Sequence, residues 1–129
     1  MARAGQQYAG VDLPRFLAAL DRLTADDIVL VAKSLDNESV ADEVDWWRAT
    51  IALDRALRHA RATRVAGLAA TRAAAIVQER AAAVGLGPAT AAPVARSAAE
   101  IARGCAVGPA ARPIVRLLCE PWAAVLPAE

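Results

Sequence analysis

The segment from Glu38 to Val84 contains no proline and a single glycine, Gly67. It is dominated by alanine, leucine and arginine, which are among the strongest helix formers. Nowhere does the sequence alternate apolar and polar residues for long enough to predict a strand. We therefore predict an all-α protein, a helical bundle of four to five helices around one long central helix over about residues 38–84, straight or kinked.

The length of this predicted helix has a consequence for assembly. A continuous helix over 38–84 would be about 70 Å long, whereas a domain of this size has a radius of gyration of about 14 Å. Either the chain turns near Arg61–Gly67, or another subunit covers the rod. Residues 60–70 contain only Gly67 as a helix breaker, which favours a continuous helix. The continuous helix in turn predicts a homodimer.

The rest of the chain predicts one domain with clear helix boundaries. Residues 1–10 are small and polar without periodicity, which predicts a flexible N-terminus before a single α-helical domain over 11–129. Asp12 is a predicted N-cap with Pro14 in the first turn, and Thr24 with Asp27 resembles a capping box. Gly85 is the predicted end of the long helix, with Thr90 as the cap of the helix that follows.

Two sets of residues on the long helix are candidates for an interface. Adjacent tryptophans point about 100° apart on a helix, so one flat partner cannot bury both. Four alanines repeat farther along at a spacing of four and three, which suits the close packing of two helices. The predicted interface residues are Trp46, Trp47, Ala62, Ala66, Ala69 and Ala73.

Charge is distributed unevenly along the chain, although the formal net charge is only +1. Residues 1–45 carry a net charge of −5 and residues 46–80 a net charge of +5. Pairing of the acidic segment with the basic helix, within one chain or across a dimer, is the favoured explanation. The alternative is a nucleic-acid-binding protein that uses the Arg48–Arg72 basic helix, although no aromatic residue interleaves with these arginines to stack on bases.

Glu43, Asp54 and His59 are the candidate ligands of a metal or small molecule. Helical bundles build metal centres from carboxylates and histidines on facing helices, and the ferritin-like pattern needs Glu-x-x-His pairs. This chain contains no such pair, and His59 follows Asp54 by about 140° around the helix. We expect Asp54 to pair with Arg58 or Arg61 instead. A metal- or ligand-binding bundle is therefore kept as an alternative, and no cofactor is predicted.

No catalytic motif stands out. Cys105 and Cys119 lack the paired spacing of a zinc site, and they are predicted to pack as reduced, small apolar residues in a cytoplasmic protein. The longest uncharged stretch, residues 81–95, contains two glycines and two prolines and cannot span a bilayer. The sequence therefore predicts neither an enzyme nor a membrane protein.

The segment Glu43-Val-Asp-Trp-Trp-Arg-Ala-Thr-Ile-Ala-Leu-Asp-Arg-Ala-Leu-Arg58 resembles short helical proteins encoded by GC-rich bacterial genomes. The resemblance covers about a third of the chain and implies no activity. Taken together, the residues predict a non-enzymatic helical interaction or scaffold module that self-associates. The metal- or ligand-binding bundle and the nucleic-acid-binding helix are the two alternatives.

Overall fold

The computed structural model describes residues 12–36, 40–108 and 111–126, and for residues 40–46 and 60 it describes the backbone alone. The predicted flexible N-terminus, residues 1–10, lies outside this range. Within these ranges the chain contains no strand, which confirms the all-α prediction. Its helices are α1 Leu13–Leu20, α2 Ala25–Asp36, α3 Val40–Ala56, α4 Ala60–Ala83, α5 Pro88–Val107, α6 Arg112–Leu118 and a short 3-10 helix Glu120–Trp122.

The predicted N-terminal caps of the first two helices are present. The Asp12 side chain accepts a hydrogen bond from the backbone N–H of Arg15 at 3.0 Å, and Pro14 lies in the first turn of α1. The Thr24 N–H donates to the Asp27 carboxylate at 2.9 Å, and the Asp27 N–H donates to the Thr24 hydroxyl oxygen at 3.1 Å. This reciprocal pair is a capping box in which aspartate takes the place of glutamate.

The long helix is interrupted at Leu57–His59, which corrects the prediction of one continuous helix over 38–84. The segment contributes two helices, so the described chain has six α-helices instead of four to five, and α4 is the long central one. His59 is extended, with φ −84° and ψ 129°. The Thr63 hydroxyl donates to the Leu57 carbonyl at 2.6 Å, which satisfies an acceptor that the break leaves without its helical partner.

The end of α4 has the geometry that Gly85 predicted. Gly85 has φ +80°, a left-handed conformation that suits glycine. The Leu86 N–H donates to the Ala81 carbonyl at 2.9 Å, and the Gly85 N–H donates to the Ala82 carbonyl at 3.1 Å. These two hydrogen bonds form a Schellman motif. The next helix begins two residues earlier than its predicted cap, Thr90. Gly87 is the N-cap of α5, because Pro88 fits the first helical position, where its missing N–H costs nothing.

The core lies between the central pair α4 and α5, which make by far the most extensive contact between helices. Helix α1 packs against both of them, α2 packs against α5 and the 3-10 helix, and α3 packs against α6. Trp122 is fully buried, with its ring edge-on to Phe16 at a centroid distance of 6.1 Å. Among the described residues, large apolar side chains remain exposed on both α3 and α4.

The break also removes the length argument for a homodimer. Helices α3 and α4 are about 26 Å and 36 Å long, and each packs against a different helix, α6 and α5 respectively. Neither helix approaches the length of about 70 Å expected of one continuous helix. A case for self-association therefore has to come from the surfaces that these two helices present.

Candidate functional site

Helix α3 presents two large apolar side chains at its surface. Trp47 and Ile51, four residues apart on one face, are 55% and 50% exposed. Ala49, Leu53 and Leu57 are buried, so the opposite side of the helix meets the core. The interface prediction for Trp47 therefore falls on an accessible residue, whereas the side chain of Trp46 lies outside the described part of the chain.

Helix α4 has a buried side and an apolar outer side. Ala66, Ala69 and Ala73 are buried in the core, and Ala62 is partly buried against it. These alanines were predicted to form an interface, but within the chain they are already covered, and α5 is the main neighbour of their helix. Val65 and Leu68 face outward instead and are 45% and 69% exposed.

A groove of about 930 Å³ lies between α1 and α4, and Leu68 is one of its lining residues. Leu13 and Leu17 of α1 and Ile76 of α4 supply much of its apolar lining. Its charged residues are Asp21, Arg72 and Glu79. An open groove with apolar walls and a few charges at its edge suits a helix better than a compact polar ligand.

The candidate metal ligands have other roles or lie apart from one another. Asp54 accepts a hydrogen bond from Arg103 of α5 at 2.9 Å, and not from the predicted Arg58 or Arg61. His59 is exposed as the N-cap of α4. The side chain of Glu43 lies outside the part of the chain that the structure describes. Among the described residues no three histidine, cysteine, aspartate or glutamate side chains converge as a metal site would require.

Arg103 joins α3 to α5. It contacts both Glu100 oxygens, at 3.0 and 2.9 Å, as well as Asp54. Partial burial, the largest single influence, lowers the pKa of Arg103, but the hydrogen bonds and charges of Asp54 and Glu100 together raise it above its ordinary value. Asp54 is therefore engaged in an ion pair that helps to orient α3, which argues for a structural role.

The arginines of residues 46–80 differ in their environments. Arg80, which follows the predicted basic helix Arg48–Arg72, donates from Nε to the Leu23 carbonyl at 2.6 Å and so fastens the connection between α1 and α2 to α4. Six others are exposed, namely Arg48, Arg55, Arg58, Arg61, Arg64 and Arg72. Two of them lie on α3, Arg58 lies in the break, and three lie on α4, so the six do not belong to one continuous helix. Nucleic-acid binding stays a prediction.

Both cysteines are free, with Cys119 buried and Cys105 partly buried. Burial, with a smaller effect from the charge of Asp12, raises the pKa of Cys105 from 9.0 to about 12. Burial, followed by the neighbouring Cys105 and Glu120, raises the pKa of Cys119 still further. Because the thiolate is the reactive form, neither residue is suited to nucleophilic catalysis at neutral pH.

These raised pKa values predict a loss of stability in alkali. Above pH 9 the unfolded chain ionises its thiols while the folded chain keeps them protonated, so the free energy of unfolding falls as pH rises from 9 to about 12. The expected slope is about 1.4 kcal/mol per pH unit for each thiol. Urea denaturation at several pH values measures it, with the Cys105→Ala/Cys119→Ala variant as control. Equal slopes in the two proteins would contradict the prediction.

Comparisons of the chain with protein-family models, with curated proteins and with solved structures found no match. In the described part of the chain, none of the helices combines the length and the apolar character needed to cross a membrane. The functional assignment therefore depends on the geometry of the surfaces themselves.

Two of these surfaces were not predicted as such. The sequence pattern placed Ile51 on the same face as Trp47 but did not indicate that this face is the exposed one. The predicted interface does not include Val65 and Leu68, because the alanine repeat beside them has the clearer spacing. The available signal was their size, since leucine and valine are the bulky apolar residues in that part of α4.

Proposed function

We propose that this protein is a non-enzymatic helical interaction module that self-associates. The observation that supports the proposal is the pair of exposed apolar side chains on α4, Val65 and Leu68, beside an open apolar groove. Isolated apolar residues are ordinary on a protein surface, but neighbouring ones that adjoin a groove are typical of an interaction site. The two free thiols suit a reducing compartment, which supports the proposal of a cytoplasmic location.

The energy available from these residues is enough to matter in a dimer. Burying the remaining exposed surface of a valine or leucine that is half exposed contributes about 1 kcal/mol. A twofold dimer uses each residue twice. The groove residues add to this area, and a stable interface needs about 800 Å² from each partner.

Trp47 and Ile51 provide a second apolar surface on α3. Tryptophan is the residue type most enriched at the energetic centre of interfaces. The exposure of these two side chains supports the scaffold aspect of the proposal.

Sedimentation velocity over a wide range of concentrations tests self-association. We expect the wild-type protein to sediment as a dimer that dissociates on dilution. Leu68→Lys should raise the dissociation constant by at least about tenfold, because it places a charge in a desolvated contact. Gln78→Lys, at an exposed position on the same helix, is the matched control and should leave it unchanged. A wild-type protein that stays monomeric at every concentration would refute the proposal.

A further inference from the structure

The outer side of α4 carries a regular seam of six residues. Their spacing alternates between four and three, which is the a and d spacing of a coiled coil. All of them are exposed except one alanine of intermediate burial, and they lie off the side that carries the buried alanines. The seam consists of Arg61, Val65, Leu68, Arg72, Ala75 and Glu79.

The charged ends of the seam are complementary when the seam is read in the opposite direction. A twofold axis that passes beside Ala70 exchanges Arg61 with Glu79, Val65 with Ala75, and Leu68 with Arg72. A closed twofold interface requires this reciprocity, in which residue i contacts residue j and j contacts i. The two charged ends of the seam then pair arginine with glutamate twice in each dimer.

The orientation follows from charge. Two parallel copies would place each seam arginine against the same arginine of the other copy, and Glu79 against a second glutamate. Like charges directly opposite one another are destabilising. The antiparallel arrangement replaces these repulsions at Arg61 and Glu79 with attractions.

The groove between α1 and α4 can accommodate the second α4 helix in this arrangement. Its α4 side includes the C-terminal half of the seam, Arg72 to Glu79, together with Leu68, and its other side is α1 with Leu13 and Leu17. The N-terminal half of the seam carries the exposed large apolar residues of α4, Val65 and Leu68. In the antiparallel pair, the N-terminal half of each α4 lies over the groove of the other copy.

From these observations we infer that the occupant of the groove is a second copy of this chain, with the two α4 helices antiparallel about Ala70. Arg61 of each copy then pairs with the partner's Glu79, and Val65 lies against the partner's Ala75. The inference rests on the proposed self-association and specifies its geometry.

A charge-reversal cycle tests the pairing of Arg61 with Glu79. Arg61→Glu and Glu79→Arg should each raise the dissociation constant about tenfold, because each dimer contains the pair twice and each reversal turns attraction into repulsion. The double variant should restore a value close to that of the wild type. Arg96→Glu, an exposed reversal on α5, is the control and should have little effect.

Cysteine crosslinking tests the register independently. In the antiparallel dimer, a Val65→Cys/Ala75→Cys double variant places two thiols of different copies within disulfide range, so mild oxidation should yield a covalent dimer. With Val65→Cys alone the two new thiols are about 15 Å apart along the helix axis, beyond the reach of a disulfide. The native cysteines serve as background, since the wild-type protein carries both.

The possible outcomes distinguish the antiparallel α4 geometry from the self-association on which it depends. A wild-type protein that never dimerises overturns both. A dimer whose dissociation constant is unchanged by either charge reversal overturns the antiparallel α4 pairing but leaves self-association intact. A Val65→Cys variant that crosslinks as fast as the double variant also overturns it, because that result requires a parallel arrangement or a different register.

Discussion

Replacing Trp122 with alanine is expected to lower the free energy of unfolding by about 3–5 kcal/mol. Trp122 is fully buried, and its indole N–H donates to the Ser97 hydroxyl of α5 at 2.8 Å. Its ring also contacts Phe16 of α1 edge-on. The side chain thus ties α1 to α5 through the C-terminal 3-10 helix, and α1 forms one wall of the groove.

Urea denaturation followed by far-ultraviolet circular dichroism measures this effect without depending on tryptophan fluorescence. Ser97→Ala separates the polar contribution, because it removes the acceptor and leaves the ring in place. We expect it to cost about 1 kcal/mol. Trp122→Phe keeps an aromatic ring and should fall between the two. If Trp122→Ala lowered the free energy of unfolding by less than Ser97→Ala does, Trp122 would not anchor these helices.

Gly104→Ala is expected to destabilise the protein by about 1–2 kcal/mol, although alanine is the better helix former. Gly104 is buried in α5, and a β-carbon at this position would lie 2.5 Å from a methyl carbon of Val115 in α6. Val115 is itself fully buried, so it has little space into which to move. The glycine allows α6 to approach α5 closely, and α6 supports the helix that carries Trp47.

Gly67→Ala is the matched control for this substitution. Gly67 also lies inside a helix, but nothing is within 4 Å of a β-carbon built there. Alanine should therefore stabilise the protein by about 0.5–1 kcal/mol. Thermal and urea unfolding of the two variants should shift in opposite directions. Val115→Ala removes the methyl group that a β-carbon at position 104 would meet. Gly104→Ala should therefore lower the free energy of unfolding less in a Val115→Ala background than in the wild type. An equal loss in both backgrounds would contradict the steric explanation.

Helix boundaries were predictable where they depend on residues close in sequence. Asp12 caps α1, Thr24 and Asp27 form a capping box, and Gly85 ends α4 in a left-handed conformation. Each of these features is settled within one turn of helix, by a side-chain oxygen near a free N–H or by the tolerance of glycine for positive φ. Local sequence therefore contains the information that these positions need.

The candidate site was only partly predictable, because an apolar residue looks the same in sequence whether a neighbour covers it or not. The alanine repeat of α4 and the apolar residues Val65 and Leu68 both follow helical spacing. Packing against α5 buries the alanines and leaves the larger residues at the surface. Asp54 likewise pairs with Arg103, which lies far away in sequence, and no local rule would select it over Arg58.

The sequence by itself determined that this chain is helical and where most of its helices begin and end, because helix propensity and capping act between residues a few positions apart. Only the tertiary structure decided that the long segment divides at Leu57–His59, where neither glycine nor proline is present. There, α3 packs against α6 and α4 packs against α5. Contacts with two different partners outweigh the local preference for one continuous helix, and they also decide which faces remain exposed.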